Sequence, residues 1–374
     1  NHTANRYNNL KSDALCRDFT INAMYLPIDF KSSRNVIDFF GGREDLAQKR
    51  IRPVRKAEEC IKASPIRILR AFSLSARTGY KINGGLIDAI RANAFLINRV
   101  PVENIQKEIN TILLSSKPSR YLRLMHNTNV LTYTIPELER CVGVIQDVRY
   151  HKFDVFTHCC YACDNIEPNL VLRLAALFHD VGKPDTRNET KTDGEIKITF
   201  HKHEIASAKR TKAFLDRLKY DTKIKEDVLN LIELHMYHYT REFTNTAVRR
   251  FVKKAGIKES DLNKLKDFPL FKLRAAERLG NGLKKEPITQ KQLDFEERIR
   301  SIVESGAGLE IKDLDVNGHI IMETFNLKPG KEVGEVLSHL LDKVQQDKKL
   351  NNRLDLITLA LAYIRAGKIE SSSS

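Results

Sequence analysis

The sequence predicts a mainly α-helical protein with a small α/β part near its start. Apolar residues recur with helical spacing through most of the 374 residues, and amphipathic segments follow one another from residue 82 to residue 135. Alternation with a period of two, which is typical of strands, occurs in short stretches before residue 56, and the sequence has no internal repeat. The length predicts two to four compact units.

Residues 18–25 form the first predicted strand. Apolar residues at positions 19, 21, 23 and 25 alternate with mainly polar ones, and Pro27 closes the pattern. Such a strand places Asp18, Thr20 and Asn22 on one face, with Arg17 at its edge. A guanidinium, a carboxylate and an amide that converge suit a nucleotide, because they can bind its phosphates and its ribose hydroxyls or base edge.

Helical elements follow from residue 64 onward. Ser64 and Pro65 predict the N-cap and first position of a helix that ends at Gly79. Its apolar face leaves three arginines for another face: Arg67, Arg70 and Arg77. Of the later helices, one includes Glu103 and Glu108, which we interpret as surface carboxylates of a core helix. Further helices are predicted at residues 170–178, after Asn317-Gly318 and after Pro329-Gly330, and a hairpin or exposed loop at residues 188–198.

A formal net charge of +15 indicates a polyanionic partner. The chain has no Trp and only 7% aromatic residues, which favours contacts to the backbone of a folded RNA over a stacking platform for single strands. On the predicted helix 247–255, the apolar stripe leaves four basic residues outward: Arg249, Arg250, Lys253 and Lys254. A solvated face and an RNA-binding face are both open interpretations of this pattern.

The six cysteines lack the paired spacing of metal knuckles, and Cys160-Tyr161-Ala162-Cys163 lacks a thioredoxin-like context. We interpret Cys160 and Cys163 as buried free thiols on a helix. The sequence has no apolar run long enough to span a membrane and no signal-peptide pattern, so we expect a soluble, cytoplasmic protein with no membrane partner. The oligomeric state is not predicted.

Three motifs identify a family. Residues 17–23, residues 37–46 and residues 67–71 resemble the tRNA nucleotidyltransferases (CCA-adding enzymes) and bacterial poly(A) polymerases in sequence, order and spacing. The resemblance implies extension of the 3′ end of tRNA or another RNA with CTP or ATP, under Mg²⁺. It also implies a set of nucleotide-binding residues: Arg17, Asp18, Asn22, Arg67 and Arg70.

The chain departs from the family pattern at several places. Cys16 stands where the family usually has an Arg before Arg17, and Glu103 and Glu108 fall where the family has a Glu-Arg…Glu motif, with Asn104 in place of the Arg. In the family, a Glu-Asp pair precedes the arginine at position 67, and Asp and Arg recognise the base; here Ala63 and Ser64 occupy the acidic positions. The residues before Arg17 contain neither the Gly-Gly loop nor the paired aspartates that hold magnesium in the family. We therefore assign no catalytic residue and expect a fragment that does not transfer nucleotides alone.

A second resemblance begins near residue 150. His158 and the pair His179-Asp180 are similar to the metal ligands of the HD superfamily of phosphohydrolases. In this chain, Glu277 stands where that superfamily has a distant Asp, and His203 is an additional candidate ligand. Imidazole and carboxylate ligands together suit a divalent transition metal. The alternative functions are thus a metal-dependent HD phosphohydrolase, acting as a phosphodiesterase or phosphatase, and a non-catalytic tRNA-binding module.

Together these patterns predict four parts. Residues 1–56 would be the C-terminal remnant of a nucleotidyltransferase head, and residues 57–140 a helical neck that binds RNA and nucleotide. Residues 141–286 would form the HD domain, and residues 287–374 a helical tail.

Overall fold

The computed structural model describes residues 2–26, 36–192, 195–237, 244–304 and 311–368. The predicted mainly α-helical fold is confirmed. Within these ranges, no helix has the length and apolar character that crossing a membrane requires.

The α-helices begin and end as follows: α1 (His2–Cys16), α2 (Gly42–Ala47), α3 (Ala57–Ala63), α4 (Arg67–Thr78), α5 (Gly84–Asn93), α6 (Val102–Leu113), α7 (Pro118–Asn127), α8 (Val130–Thr134), α9 (Pro136–Glu139), α10 (Val155–Asp164), α11 (Leu170–Phe178), α12 (Lys183–Thr186), α13 (His203–Arg217), α14 (Thr222–Leu234), α15 (Asn245–Ala255), α16 (Pro269–Gly280), α17 (Gln290–Glu304), α18 (Gly318–Phe325), α19 (Lys331–Val344) and α20 (Arg353–Tyr363). Five 3₁₀ segments (Thr20–Asn22, Ala94–Arg99, Glu259–Asp267, Ile311–Asp313 and Lys348–Leu350) and one π segment (Ile364–Lys368) complete the helical structure of the described residues.

The described strands form three separate two-stranded sheets. β1 (Met24–Tyr25) pairs antiparallel with β2 (Ile37–Asp38), and β3 (Arg50–Ile51) pairs parallel with β4 (Lys81–Ile82). β5 (Arg187–Thr192) and β6 (Glu195–Phe200) are antiparallel, with Arg187 opposite Phe200. The predicted hairpin is therefore present, and its tip, Asp193-Gly194, lies outside the described residues.

The chain divides into two compact units. The first contains Asn1–His235 and Lys272–Pro287, and the second Met236–Phe271 and Ile288–Ser374. This division does not test the four predicted parts, whose boundaries stay a prediction.

In the first unit, the strand predicted at residues 18–25 is wrong for most of its length. Thr20–Asn22 is a 3₁₀ turn, and only Met24 and Tyr25 are extended in a ladder. The reason is a set of long-range hydrogen bonds: the Thr20 amide donates to the Arg52 carbonyl (2.9 Å), and its hydroxyl to the buried Asp45 carboxylate (2.6 Å). Tertiary hydrogen bonds thus override the local alternation.

The predicted start of α4 is also wrong by two residues. Ser64 ends α3, and α4 begins at Arg67 with Ile66 as an uncapped N-cap. The amides of Arg67 and Ile68 bond to the carbonyls of Ser64 and Pro65, three residues back, so a tight turn precedes the helix. Gly79 ends α4 with φ 73°, as predicted.

Most other helix predictions are confirmed, including α11 over residues 170–178. Asp154 caps α10 by accepting a hydrogen bond from the Thr157 amide (2.9 Å), and Asn317 caps α18 in the same way. Cys160 and Cys163 are buried free thiols on α10, as the sequence predicts, and Cys159 of the same helix is also a buried free thiol.

The second unit has its own core. Helices α18, α19 and α20 pack around a cluster that includes Ile321, Val336, Leu340 and Leu356. Aromatic rings of the same unit form a second cluster, in which Tyr237 contacts Phe251, Phe271 and Phe295 at centroid distances of 5.1, 5.8 and 5.9 Å.

Candidate functional site

A cavity of about 410 Å³ lies in the first unit between α4, α6 and the turn at residues 18–22. Helices α4 and α6 pack against each other, and both present a largely polar stripe to the cavity. The lining residues are Asp18, Phe19, Asn22, Ile66, Arg70, Ser73, Leu74, Arg77, Asn104, Lys107, Glu108 and Thr111. Their spacing along each helix is that of one helical face.

Asp18 is the centre of a hydrogen-bond network in the turn. Its Oδ1 accepts from the Phe19 amide (2.8 Å) and the Asn22 side chain (3.2 Å), and its Oδ2 lies 2.7 Å from the Arg70 guanidinium. Asp18 is buried, whereas the Arg70 side chain remains 48% exposed. Arg70 therefore retains donors that can reach a ligand in the cavity.

Three of the five predicted nucleotide-binding residues, Asp18, Asn22 and Arg70, meet at this cavity. The other two do not line it. Arg17 is exposed and pairs with Asp13 of α1 (2.8 Å), and the Arg67 guanidinium donates to the backbone carbonyls of Cys16 and Cys60.

Several lining residues were not among the predicted nucleotide-binding residues. Arg77 and Lys107 have no carboxylate partner among the described residues, so the cavity contains two uncompensated positive charges. Glu108, predicted to be a surface carboxylate, is half-buried and accepts a hydrogen bond from the Ser73 hydroxyl. The polar positions at 104, 107, 108 and 111 recur as i, i+3, i+4, i+7, which was the available signal.

A second cluster of buried polar residues centres on Asp180, at the end of α11. Asp180 Oδ2 lies 3.4 Å from His158 Nε2 and 3.2 Å from His179 Nε2, and Asp180 Oδ1 lies 3.1 Å from His203 Nε2 and 3.8 Å from His235 Nε2. Each carboxylate oxygen thus faces its own histidine pair. The two pairs have Nε2 to Nε2 distances of 3.1 and 3.2 Å.

The hydrogen bonds of the imidazole rings make this cluster suitable for a metal. The Nδ1 atoms of His179, His203 and His235 donate to the backbone carbonyls of Ala176, Phe200 and Ile232. In their neutral forms, these three rings therefore direct their Nε2 lone pairs into the cluster around the carboxylate, an arrangement that a cation stabilises. Nitrogens bound to one ion at about 2.1 Å lie about 3.0–3.4 Å apart, which matches both pairs.

The pKa shifts agree with this interpretation for His158 and His235 but not for His179, whose pKa is raised because the Asp180 carboxylate outweighs the effect of burial. Burial, followed by the charge of His179, lowers the pKa of His158 and His235 to about 3, so both rings are neutral and able to ligate. Burial alone would raise the pKa of Asp180, but the charges of His179 and Lys183 and hydrogen bonds from His179 and His203 hold it well below its usual range. Lys183 lies 2.7 Å from Asp180 Oδ2.

The predicted ligands are only partly brought together. His158, His179, Asp180 and His203 share the cluster, and His235, considered from the sequence only as an extension, joins them. Glu277 is not among the close groups: its carboxylate pairs with Arg274 at 2.8 Å. His238, considered with His235, lies outside the described residues.

Comparisons with known proteins match three parts of the chain. The poly(A) polymerase head domain matches residues 1–52, the probable RNA- and SrmB-binding site of polymerase A matches residues 79–141, and the HD domain matches residues 148–296.

Full-length relatives show the same family. The A-adding tRNA nucleotidyltransferase of Deinococcus radiodurans is 28% identical over 346 residues, which cover 89% of this chain and 75% of the relative. The CC-adding tRNA nucleotidyltransferase of Thermus thermophilus is 29% identical over 375 residues, covering 97% and 80%. The chain belongs to the tRNA nucleotidyltransferase and poly(A) polymerase family.

The fold of this family is also seen in a solved structure. The Bacillus stearothermophilus CCA-adding enzyme in complex with CTP superposes with a TM-score of 0.62 at 19% identity, covering 96% of this chain and 75% of that one. In the present chain, the cavity draws its walls from the matched head region, from α4, which lies between the matched regions, and from the matched RNA-binding region. The histidine cluster lies in the matched HD region.

The four basic residues predicted to bind RNA lie on α15 of the second unit. Arg250, Lys253 and Lys254 are exposed, and Val248 and Val252 are buried, as the apolar stripe predicts. Arg249 differs, because it is half-buried and its Nε atom is enclosed. RNA binding by this helix stays a prediction.

Proposed function

We propose that this protein is an RNA nucleotidyltransferase that binds CTP or ATP in the cavity between α4 and α6 and extends the 3′ end of tRNA or another RNA. The observation that supports this most is the convergence of Asp18, Asn22 and Arg70 with two further cations, Arg77 and Lys107, on one cavity. Family membership supports the same assignment.

The chemistry of the lining suits a nucleoside triphosphate. Arg70, Arg77 and Lys107 supply the donors and positive charge that phosphate oxygens require. Asp18 and Asn22 are fixed by their mutual hydrogen bond and can contact ribose hydroxyls. The net charge of +15 and the exposed cations of α15 suit the RNA.

Magnesium is the cofactor that we expect for nucleotide transfer, but the cavity residues do not form a binding site for it. Asp18 is already bonded to Arg70 and Asn22, and no group of three close His, Cys, Asp or Glu ligands occurs there in the described ranges.

Calorimetric titration of the purified chain with CTP and ATP tests the proposal. We expect Arg77→Ala to weaken binding roughly tenfold, because the substitution removes a charge that faces phosphate without unpairing a buried carboxylate. Arg91→Ala is the matched control, since Arg91 is exposed and pairs with Asp88 of its own helix. Absence of nucleotide binding, or equal effects of both substitutions, would contradict the proposal.

The second candidate function is a metal-dependent HD phosphohydrolase. The facing Nε2 pairs around Asp180 favour it, because His158, His179, Asp180, His203 and His235 would hold a divalent transition metal. A bound ion would supply a Lewis acid for a phosphoryl group. Lys183, beside Asp180, could neutralise a further phosphate oxygen.

Release of phosphate or opening of a 2′,3′-cyclic phosphate in the presence of Mn²⁺, Ni²⁺ or Co²⁺ tests this candidate. We expect His179→Ala to abolish the activity and to lower the metal content measured by equilibrium dialysis. His319→Ala, which alters an exposed histidine of the second unit, should change neither. Activity that persists without metal would exclude the candidate.

A further inference from the structure

We infer that Glu108 selects the base, accepting a hydrogen bond from the exocyclic amino group of cytosine or adenine in the α4–α6 cavity. This inference depends on the proposed nucleotide site. It assigns a specificity-determining role to a residue that the sequence pattern favours as a surface carboxylate.

The first argument is the state of the cavity's two carboxylates. Asp18 Oδ1 accepts hydrogen bonds from the Phe19 amide and Asn22, and its buried Oδ2, which makes no hydrogen bond, is ion-paired with Arg70 at 2.7 Å. Glu108 differs, because its Oε2 accepts from the Ser73 hydroxyl whereas, within the described part of the chain, its Oε1 has no hydrogen-bond partner. Among the described residues, Glu108 is therefore the lining carboxylate whose second oxygen has neither a hydrogen bond nor an ion pair.

Second, the Ser73 hydroxyl orients this acceptor. Ser73 is buried on α4 and donates across to α6, so the bond holds the Glu108 side chain between the two helices. An oriented carboxylate loses less conformational entropy on binding than a freely rotating one. The free Oε1 is thus pre-organised for a donor in the cavity.

Third, the position of Glu108 fits a base whose sugar lies at Asp18. Arg70 marks the Asp18 end of the cavity on α4, and Ser73, which holds Glu108, lies three residues further along the helix. Three residues rise about 4.5 Å, so Glu108 is about one helical turn from the residues that suit ribose. In a nucleotide, the outer edge of the base lies at a comparable distance from the sugar.

The chemistry of the bases then gives discrimination. Cytosine and adenine present an amino group, whereas uracil and guanine present a carbonyl at the equivalent position. A carboxylate accepts from the amino group and repels the carbonyl. Asn104 and Lys107, on the same face of α6, are donors that can complement the adjacent ring nitrogen.

Titration of the full chain with CTP, ATP, UTP and GTP tests the assignment, with Glu108→Gln as the variant. The amide can still accept from Ser73, so the helix contact is preserved, but it can also donate to a carbonyl. We expect CTP and ATP to bind roughly tenfold more weakly and the preference over UTP and GTP to fall to within about threefold. A purely structural role would weaken all four nucleotides alike.

Glu103→Gln is the matched control on the same helix, because the Glu103 carboxylate is exposed and pairs with Lys219 (2.5 Å) away from the cavity lining. It should leave all four affinities unchanged. If CTP and ATP bind and depend on Arg77, but Glu108→Gln leaves their preference intact, base selection by Glu108 is overturned and the proposed function stands. If none of the four nucleotides binds, both are overturned.

Discussion

Gly182 packs against the backbone of α13 beside the HD motif, and its substitution tests this packing. A Cβ atom on Gly182 would lie 2.3 Å from the Ser207 amide nitrogen and 2.6 Å from the Ala206 carbonyl carbon. These are backbone atoms of α13, so they cannot rotate away, and the two segments must separate by about 1 Å. Separation also breaks the buried hydrogen bond from the Gly182 amide to the Ser207 hydroxyl (2.9 Å).

We therefore expect Gly182→Ala to lower the free energy of unfolding by about 2–4 kcal/mol. Overpacking contributes about 1–3 kcal/mol and the broken hydrogen bond about 1 kcal/mol. The same shift moves Asp180 Oδ1 away from His203 Nε2, which lies 3.1 Å from it. The affinity for a metal ion should therefore also fall. Urea unfolding followed by circular dichroism measures the first effect, and equilibrium dialysis with Mn²⁺ or Ni²⁺ measures the second.

Gly84→Ala is the control for this substitution, because a Cβ on Gly84, at the start of α5, would meet no atom within 4 Å. It should leave metal binding unchanged and stability unchanged or slightly higher. A stability loss below about 0.5 kcal/mol for Gly182→Ala would refute the close packing of the HD motif on α13.

Three further predictions concern other parts of the chain. Asp45 is buried and accepts from Thr20, Arg50 and Arg52; burial would raise its pKa, but the Thr20 and Arg50 hydrogen bonds and the charges of Arg52 and Arg50 lower it. The folded pKa of Asp45 is below the unfolded value of about 3.9, so the stabilisation from this carboxylate is present above that pH and is lost as the pH falls further. Asp45→Asn should therefore lower the free energy of unfolding by about 3 kcal/mol at pH 7 and by progressively less below about pH 4, as measured by urea titrations. On α15, the double substitution Lys253→Ala and Lys254→Ala should weaken tRNA binding in filter-binding assays and reduce the slope of log K against log salt by about 1 for each phosphate that is no longer neutralised. As the control, Lys62→Ala should not change the slope, because Lys62 is exposed and pairs with Glu58. The buried Cys160 should resist alkylation in the native chain and react only after unfolding, because burial raises the pKa of its thiol, and exposed Cys16 provides the reactive reference in mass spectrometry.

The sequence alone predicted the helices and the family. Helical periodicity is local, so α5, α6, α7 and α11 follow from the spacing of apolar residues, and Gly79 and Asn317 mark helix ends by their intrinsic preferences. The motifs at residues 17–23 and 179–180 identified the chemistry because each is contiguous in the chain.

Only the tertiary structure decided which side chains share a site. Periodicity shows that a helix face is buried or polar, but not which element lies opposite, so the joining of Ser73 to Glu108 across α4 and α6 could not be predicted. For the same reason, the sequence did not predict that Thr20 donates a hydrogen bond to Asp45, 25 residues away, or that the Glu277 carboxylate pairs with Arg274. His235 reached Asp180 through the packing of α14 on α11, which brings together residues distant in sequence. Such contacts depend on how helices pack, which local sequence does not encode.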